Sequence, residues 1–301
     1  MTDTNMRFWL MIMVLACASF GASARAAPDG RPEVQIAQGR IAGISEGDLS
    51  VFKGIAYASP PVGERRWRPP AAPEPWQGIF DARAFGASCA QPPYPANSVY
   101  FEELAVTSED CLTLNVWAPK NSDGAPVIVW IHGGALQRGT SASPMYDGSE
   151  YAKRGIVFVS INYRLGVFGW LAHPGLSAES SEGISGNYGL LDQIAALTWV
   201  KGNVDAFGGD AQNVTVMGES AGALSVTYLL SSPRAHGLFA KAIIQSANIR
   251  AVPRLRESAF GMPAAEAIGA ALGEDIDALR ALEAEALMTK AWQARFPAQA
   301  T

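Results

Sequence analysis

The chain has 301 residues, 49% of them apolar and 17% charged. That balance excludes a disordered or fibrous polypeptide and calls for a sizeable buried core. The formal net charge of −5 leaves no basic excess to neutralise a phosphate backbone, so nucleic acid is not an expected partner. Three cysteines and three histidines, with neither C-x-x-C nor H-E-x-x-H spacing, give no metal framework, and no metal or cofactor is expected.

The N-terminus reads as an export signal. Arg7 precedes an uncharged stretch from Phe8 to Ala24 whose apolar heart is Phe8–Ala16. Small residues follow, in Ala22-Ser23-Ala24 and Ala24-Arg25-Ala26. A charged start, a short apolar run and an A-x-A site describe a secretory signal peptide over residues 1–26, leaving a domain over 27–301. The stretch is short for a bilayer core, which needs about 20 apolar residues. Lipoprotein anchoring at Cys17 is the minor alternative, and no other segment is expected to meet a membrane. Export leaves Cys89 and Cys111 in an oxidising compartment, secreted or periplasmic, where two remaining cysteines read as one disulfide.

Residues 34–58 alternate apolar and polar with glycine punctuation, as antiparallel hairpins do. Residues 59–97, with Pro60-Pro61 and Pro69-Pro70, read as ordered loop. Four short apolar runs then follow: Val127–Ile131, Ile156–Ile161, Val214–Met217 and Ala242–Ile244. Such runs suit parallel strands buried on both faces. Between them, Leu190, Leu191, Ile194, Leu197 and Val200 recur at helical spacing, as do Leu224, Val226, Leu229 and Leu230. Strands alternating with helices predict an α/β domain with right-handed crossovers. Residues 263–290, rich in Ala, Glu and Leu, read as helix.

The G-x-S-x-G pattern occurs twice, at Gly43–Gly47 around Ser45 and at Gly218–Gly222 around Ser220. A nucleophile elbow needs a strand feeding a sharp turn that opens a helix. Ser220 follows an apolar run and precedes helical spacing; Ser45 sits in hairpin composition and reads as structural. A serine also needs a base, and its oxyanion needs donors. His132-Gly133-Gly134-Ala135, directly after an apolar run, can converge backbone N–H groups on an anion, although alone it could be an ordinary glycine turn. The N–H of Ala221, at the helix start, is the second source.

A string of motifs makes the chain resemble the type-B carboxylesterases, the family that contains the cholinesterases. They are Gly54-Ile55-Ala56-Tyr57-Ala58 with Pro60-Pro61-Val62-Gly63, Ser108-Glu109-Asp110-Cys111-Leu112-Thr113-Leu114-Asn115-Val116, and Trp130-Ile131-His132-Gly133-Gly134. Ile161-Asn162-Tyr163-Arg164-Leu165-Gly166, Gly186-Asn187-Tyr188-Gly189-Leu190-Leu191-Asp192-Gln193, Ala206-Phe207-Gly208-Gly209-Asp210 and Gly218–Gly222 complete the series. The likeness weakens after Asn248. It implies an α/β-hydrolase fold, here the N-terminal part only, with a mostly parallel central sheet and an antiparallel N-terminal portion. It implies Ser220 as the acylated nucleophile and Gly134, Ala135 and Ala221 as oxyanion-hole donors. Ala135 stands where the family often has a third glycine. It also implies a Cys89–Cys111 disulfide and structural ion pairs Arg66–Glu109 and Arg164–Asp192. Glu219 is implied as a structural neighbour of the nucleophile rather than the triad acid.

The triad is the missing part. In α/β-hydrolases the order is Ser, then Asp or Glu, then His. Only His236 follows Ser220, and it reads as a surface residue; His173 reads as an ordinary loop residue. The resemblance places the triad acid and histidine beyond this sequence. The expectation is a serine carboxylic ester hydrolase acting on a small neutral ester, nearly inactive as this chain alone. The alternatives are a split enzyme completed by a second chain, and a non-catalytic interaction module of the same fold. The sequon at Asn213-Val214-Thr215 reads as part of the strand before the elbow.

Overall fold

The computed structural model describes residues 25–26, 30–247 and 252–297. The expected signal peptide lies outside the described residues up to residue 24; the backbone of Arg25–Ala26 pairs antiparallel with Pro32–Ile36. In chain order the strands are β1 (Arg25–Ala26), β2 (Pro32–Ile36), β3 (Gly39–Ala42), β4 (Ile44–Glu46), β5 (Leu49–Ala56), β6 (Ile79–Asp81) and β7 (Ser88–Cys89). They continue as β8 (Thr107–Ser108), β9 (Thr113–Pro119), β10 (Ala125–Ile131), β11 (Val157–Ile161), β12 (Gly209–Glu219) and β13 (Lys241–Gln245). The α-helices are α1 (Ser149–Ala152), α2 (Gly166–Trp170), α3 (Pro174–Glu179), α4 (Tyr188–Asn203), α5 (Ala221–Ser231), α6 (Ala265–Ala270), α7 (Ile276–Arg280) and α8 (Ala284–Gln293).

The main sheet has the order β13-β12-β10-β11-β9-β5-β4. Its first four strands are mutually parallel and its last three join antiparallel. The apolar runs are continuous because both faces are covered. Val127, Val129 and Ile131 of β10 enter the larger core with Leu197 and Val200 of α4 and Val226 and Leu229 of α5. Ile128 and Trp130 face the opposite side, against Phe158, Met217 and Ala152 of α1. A helix on each side removes the polar alternation that a half-solvated strand would need. The hairpin reading of 34–58 holds, with β2 pairing β3 and β4 pairing β5. Ser45 lies in β4 opposite Ser50, ahead of a turn at Gly47 with φ +59°.

Three expectations are corrected. The run Ala242–Ile244 does form a parallel strand, but it is not buried on both faces: Ile243 and Ile244 are 40% and 43% exposed. β13 ends the sheet and has one strand neighbour among the described residues, so its far side has no cover. The helical reading of 263–290 breaks into α6, α7 and α8. Gly273, at φ +153°, interrupts the first junction, and the Asp275 carboxylate accepts the N–H groups of Asp277 and Ala278 to start α7 afresh. The short strands β6 and β7 also interrupt the Pro-rich loop over 59–97.

Candidate active site

Ser220 stands between β12 and α5 with φ 53° and ψ −117°, a backbone posture that L-residues avoid. Its own N–H donates to Gln245 O at 2.9 Å, tying the turn to the end of β13. The flanking glycines make this turn possible. A Cβ on Gly222 would sit 2.0 Å from Ile131 O, and one on Gly218 would sit 2.5 Å from the carbonyl carbon of Gly222. Strain of this kind persists only where the surroundings over-determine it. The structure thus separates the two serine motifs: Ser220 occupies a strand–turn–helix and Ser45 a hairpin strand.

The turn after β10 lies against this elbow. A Cβ on Gly133 would stand 3.2 Å from Ser220 Cβ and 2.9 Å from Glu219 O. Gly134, Ala135 and Leu136 follow with φ of +103°, +58° and +60°. Among the described residues, no protein acceptor takes the N–H of Gly134, Ala135 or Ala221. Free donors on a strained turn beside a serine are suited to receiving an anion.

His132 is buried, with its ring stacked on Tyr163 at 4.5 Å between centroids. Its Nδ1–H donates to Gly133 O at 2.8 Å, and Tyr163 Oη donates to His132 O at 2.8 Å. Burial lowers its pKa from 6.5 to about 4. The unfolded chain therefore binds a proton on His132 below about pH 6.5 that the folded chain refuses until about pH 4. Stability carried by neutral His132 is intact above pH 6.5 and is lost as pH falls through that window, up to about 3 kcal/mol. Urea unfolding at stepped pH should show this loss, and His132→Gln should flatten it.

Neither of the other two histidines hydrogen-bonds to Ser220. His173, expected as an ordinary loop residue, is in fact buried and caps α3: Nδ1 accepts from Gly175 N at 3.0 Å and Nε2 donates to Gly273 O at 2.8 Å. The His-Pro sequence before a helix was the available signal for that cap. His236 is exposed, as expected, at the end of a 3₁₀ turn. Among the described residues, the Ser220 hydroxyl has no hydrogen-bond partner, and no group of side chains suits a metal ion.

The remaining residues singled out in the sequence fall around this centre. Cys89 and Cys111 are bonded to one another and close a loop of sequence separation 22, which contributes about 3 kcal/mol in the chain-entropy model. Arg66 meets Glu109 in a two-pronged pair, with Nε to Oε2 at 2.7 Å. Its remaining nitrogen donates to Arg280 O at 2.8 Å and Leu282 O at 2.7 Å, at the end of α7. Arg164 meets Asp192 through Nε to Oδ2 at 2.8 Å and through its terminal nitrogen to Oδ1 at 2.7 Å, both side chains being almost fully buried. Sequence reasoning missed Gln91, a buried amide between the disulfide and the glycine turn.

A mostly parallel sheet with a strained serine at the strand-to-helix turn after β12 defines an α/β-hydrolase. The carboxylesterase family model matches residues 30–299, and the chain belongs to the carboxylesterase family. It is 48% identical over 264 residues to fumonisin B1 esterase from Sphingopyxis macrogoltabida, covering 86% of this chain and 46% of that protein. It is 44% identical over 259 residues to para-nitrobenzyl esterase from Bacillus subtilis (strain 168), covering 85% and 52%. A solved PNB esterase structure superposes with a TM-score of 0.78 at 43% identity, over 87% of this chain and 53% of that one. A Geobacillus stearothermophilus carboxylesterase at pH 6.2 gives 0.74 at 41%, over 87% and 53%. The chain spans about half the length of the curated relatives it matches.

Proposed function

We propose that this chain carries the nucleophile and oxyanion hole of a serine carboxylic ester hydrolase acting on small neutral esters. The observation that carries the reading is the Ser220 turn, with φ 53°, packed against the Gly133 turn. Ser220 Oγ attacks the ester carbonyl carbon and gives its proton to a base. The resulting oxyanion takes hydrogen bonds from the N–H groups of Gly134, Ala135 and Ala221. The alkoxide leaves with a proton as the alcohol, and water then cleaves the acyl-serine.

None of the three histidines hydrogen-bonds to Ser220: His132 and His173 hold backbone groups and His236 is exposed, so on this reading the imidazole comes from polypeptide outside these residues, whether more of the same protein or a second chain. The exposed edge at β13, whose Gln245 carbonyl holds the Ser220 N–H, favours a covering segment there. The intact serine and free donors argue against a purely non-catalytic interaction module. A fluorophosphonate locates the nucleophile directly: after prolonged incubation, peptide mapping should place the adduct on Ser220 and find none in Ser220→Ala. An adduct on Ser45, or on no serine, overturns the reading.

We also infer export. The charged start, apolar run and small residues up to Ala26 support it, as does the need of a disulfide for an oxidising compartment. The N-terminus of the exported protein is expected at Ala27; recovery of the uncleaved chain in the cytoplasm overturns this.

A further inference from the structure

The glycine turn that supplies the oxyanion donors does not hold itself. Gly134, Ala135, Leu136 and Gly139 all have positive φ, of +103°, +58°, +60° and +114°. Two of them carry a Cβ, and such residues hold this conformation only where their surroundings enforce it. Inside the turn, Gly134 O accepts from Gln137 N and Arg138 N, both at 3.0 Å. Outside it, Gly166 N donates to Leu136 O at 2.7 Å. Residue 91 adds a further constraint from outside the turn.

Gln91 is buried, 5% exposed. Its Oε1 accepts Gly139 N–H at 2.8 Å, and its Nε2 donates to Gly139 O at 2.8 Å. The same Nε2 donates to Cys89 O at 2.9 Å. The carboxamide therefore pairs with both backbone groups of Gly139 as a neighbouring peptide unit would, and its nitrogen also ties it to the disulfide-bonded strand. Gly139 is itself pressed onto the donor turn: a Cβ there would lie 2.3 Å from His132 Nδ1 and 2.8 Å from Gly133 O. Gly133 in turn abuts Ser220. Gln91, Gly139, Gly133 and Ser220 are thus in unbroken contact.

We propose that Gln91 is the positioning residue of the oxyanion turn, its carboxamide fixing Gly139 and thereby the Gly134 and Ala135 N–H groups relative to Ser220. This rests on the acyl-transfer reading of Ser220 only for its catalytic consequence; the positioning is measurable without activity. Glutamate at this site is nearly isosteric but offers no donor when ionised. Once protonated, it again donates to Gly139 O while accepting Gly139 N–H. Arg138 adjoins the same segment through Nε to Pro92 O at 3.1 Å, and the His132 ring, whose pKa burial lowers to about 4, abuts Gly139, so each pH point is read as a ratio to the unsubstituted chain.

The experiment is amide hydrogen exchange on the 301-residue chain, expressed as protection relative to the free peptide rate. Gln91→Ala should lower protection across residues 133–140 by about 10-fold while α4 stays within about twofold of the unsubstituted chain. Gln91→Glu should lower it similarly at neutral pH and recover as the carboxyl protonates, a pH profile that loss of packing alone would not produce. Phosphonylation of Ser220, as a ratio to the unsubstituted chain at each pH, should fall about 10–100-fold and follow the same pattern. Unchanged protection of the turn in Gln91→Ala, equal loss in α4, or no acid recovery in Gln91→Glu overturns the proposal. If Gln91→Ala does not fold, Gln91→Glu decides alone. If the unsubstituted chain forms no adduct, the nucleophile reading fails and exchange still decides on Gln91.

Discussion

Free imidazole should accelerate phosphonylation of Ser220 in the 301-residue chain, and without it labelling should be slow. Removing the base or nucleophile from an assembled triad costs about six orders of magnitude in turnover, with about 10³–10⁴ over water left from the oxyanion hole and binding. Here the serine and the donors are in place, and none of the three histidines bonds to Ser220. A small diffusible imidazole can accept the proton that no side chain accepts. The rate should therefore rise with imidazole concentration in the unsubstituted chain and remain flat in Ser220→Ala. Fast stoichiometric labelling in its absence would show that a base is already present.

Asp192→Asn should destabilise the fold by about 3–5 kcal/mol, because it leaves Arg164 buried without its counter-charge. The pair is almost fully excluded from solvent, and Asp192 also accepts the Arg164 backbone N–H at 3.0 Å. The guanidinium lies 5.5 Å from the Tyr188 ring centroid, at the start of α4, so its displacement would disturb that helix as well. Urea unfolding of the two chains measures the difference. A change below about 1 kcal/mol, the range of exposed pairs, would show that Arg164 finds other compensation.

Some of this was legible because local chemistry forces it. Val127–Ile131 lacks polar alternation, and only a strand covered on both faces tolerates that. Gly218 and Gly222 mark Ser220 because the backbones approach too closely for any side chain. Ala242–Ile244 has the same apolar character, yet its burial depends on what lies beside it rather than on its own residues. The break between α6 and α7 turned on Gly273 and Asp275, weak signals inside an otherwise helical composition. The bond of His173 Nε2 and the pairing of Gln91 were illegible for a different reason. Their partners, Gly273 and Gly139, are distant in sequence by |i−j| of 100 and 48. No spacing rule reaches that far.

The bond from Ser220 N to Gln245 O has a thermodynamic consequence. It couples the Ser220 backbone to β13, the edge strand among the described residues, so fraying of β13 would loosen the serine turn as well. On the proposed reading of Ser220 as the nucleophile, the fraction of molecules able to attack then depends on the free energy of closing that edge. Anything that shields Ile243 and Ile244 from water raises that fraction without touching the substrate. Reactivity at Ser220 would thus report on the state of the sheet's rim.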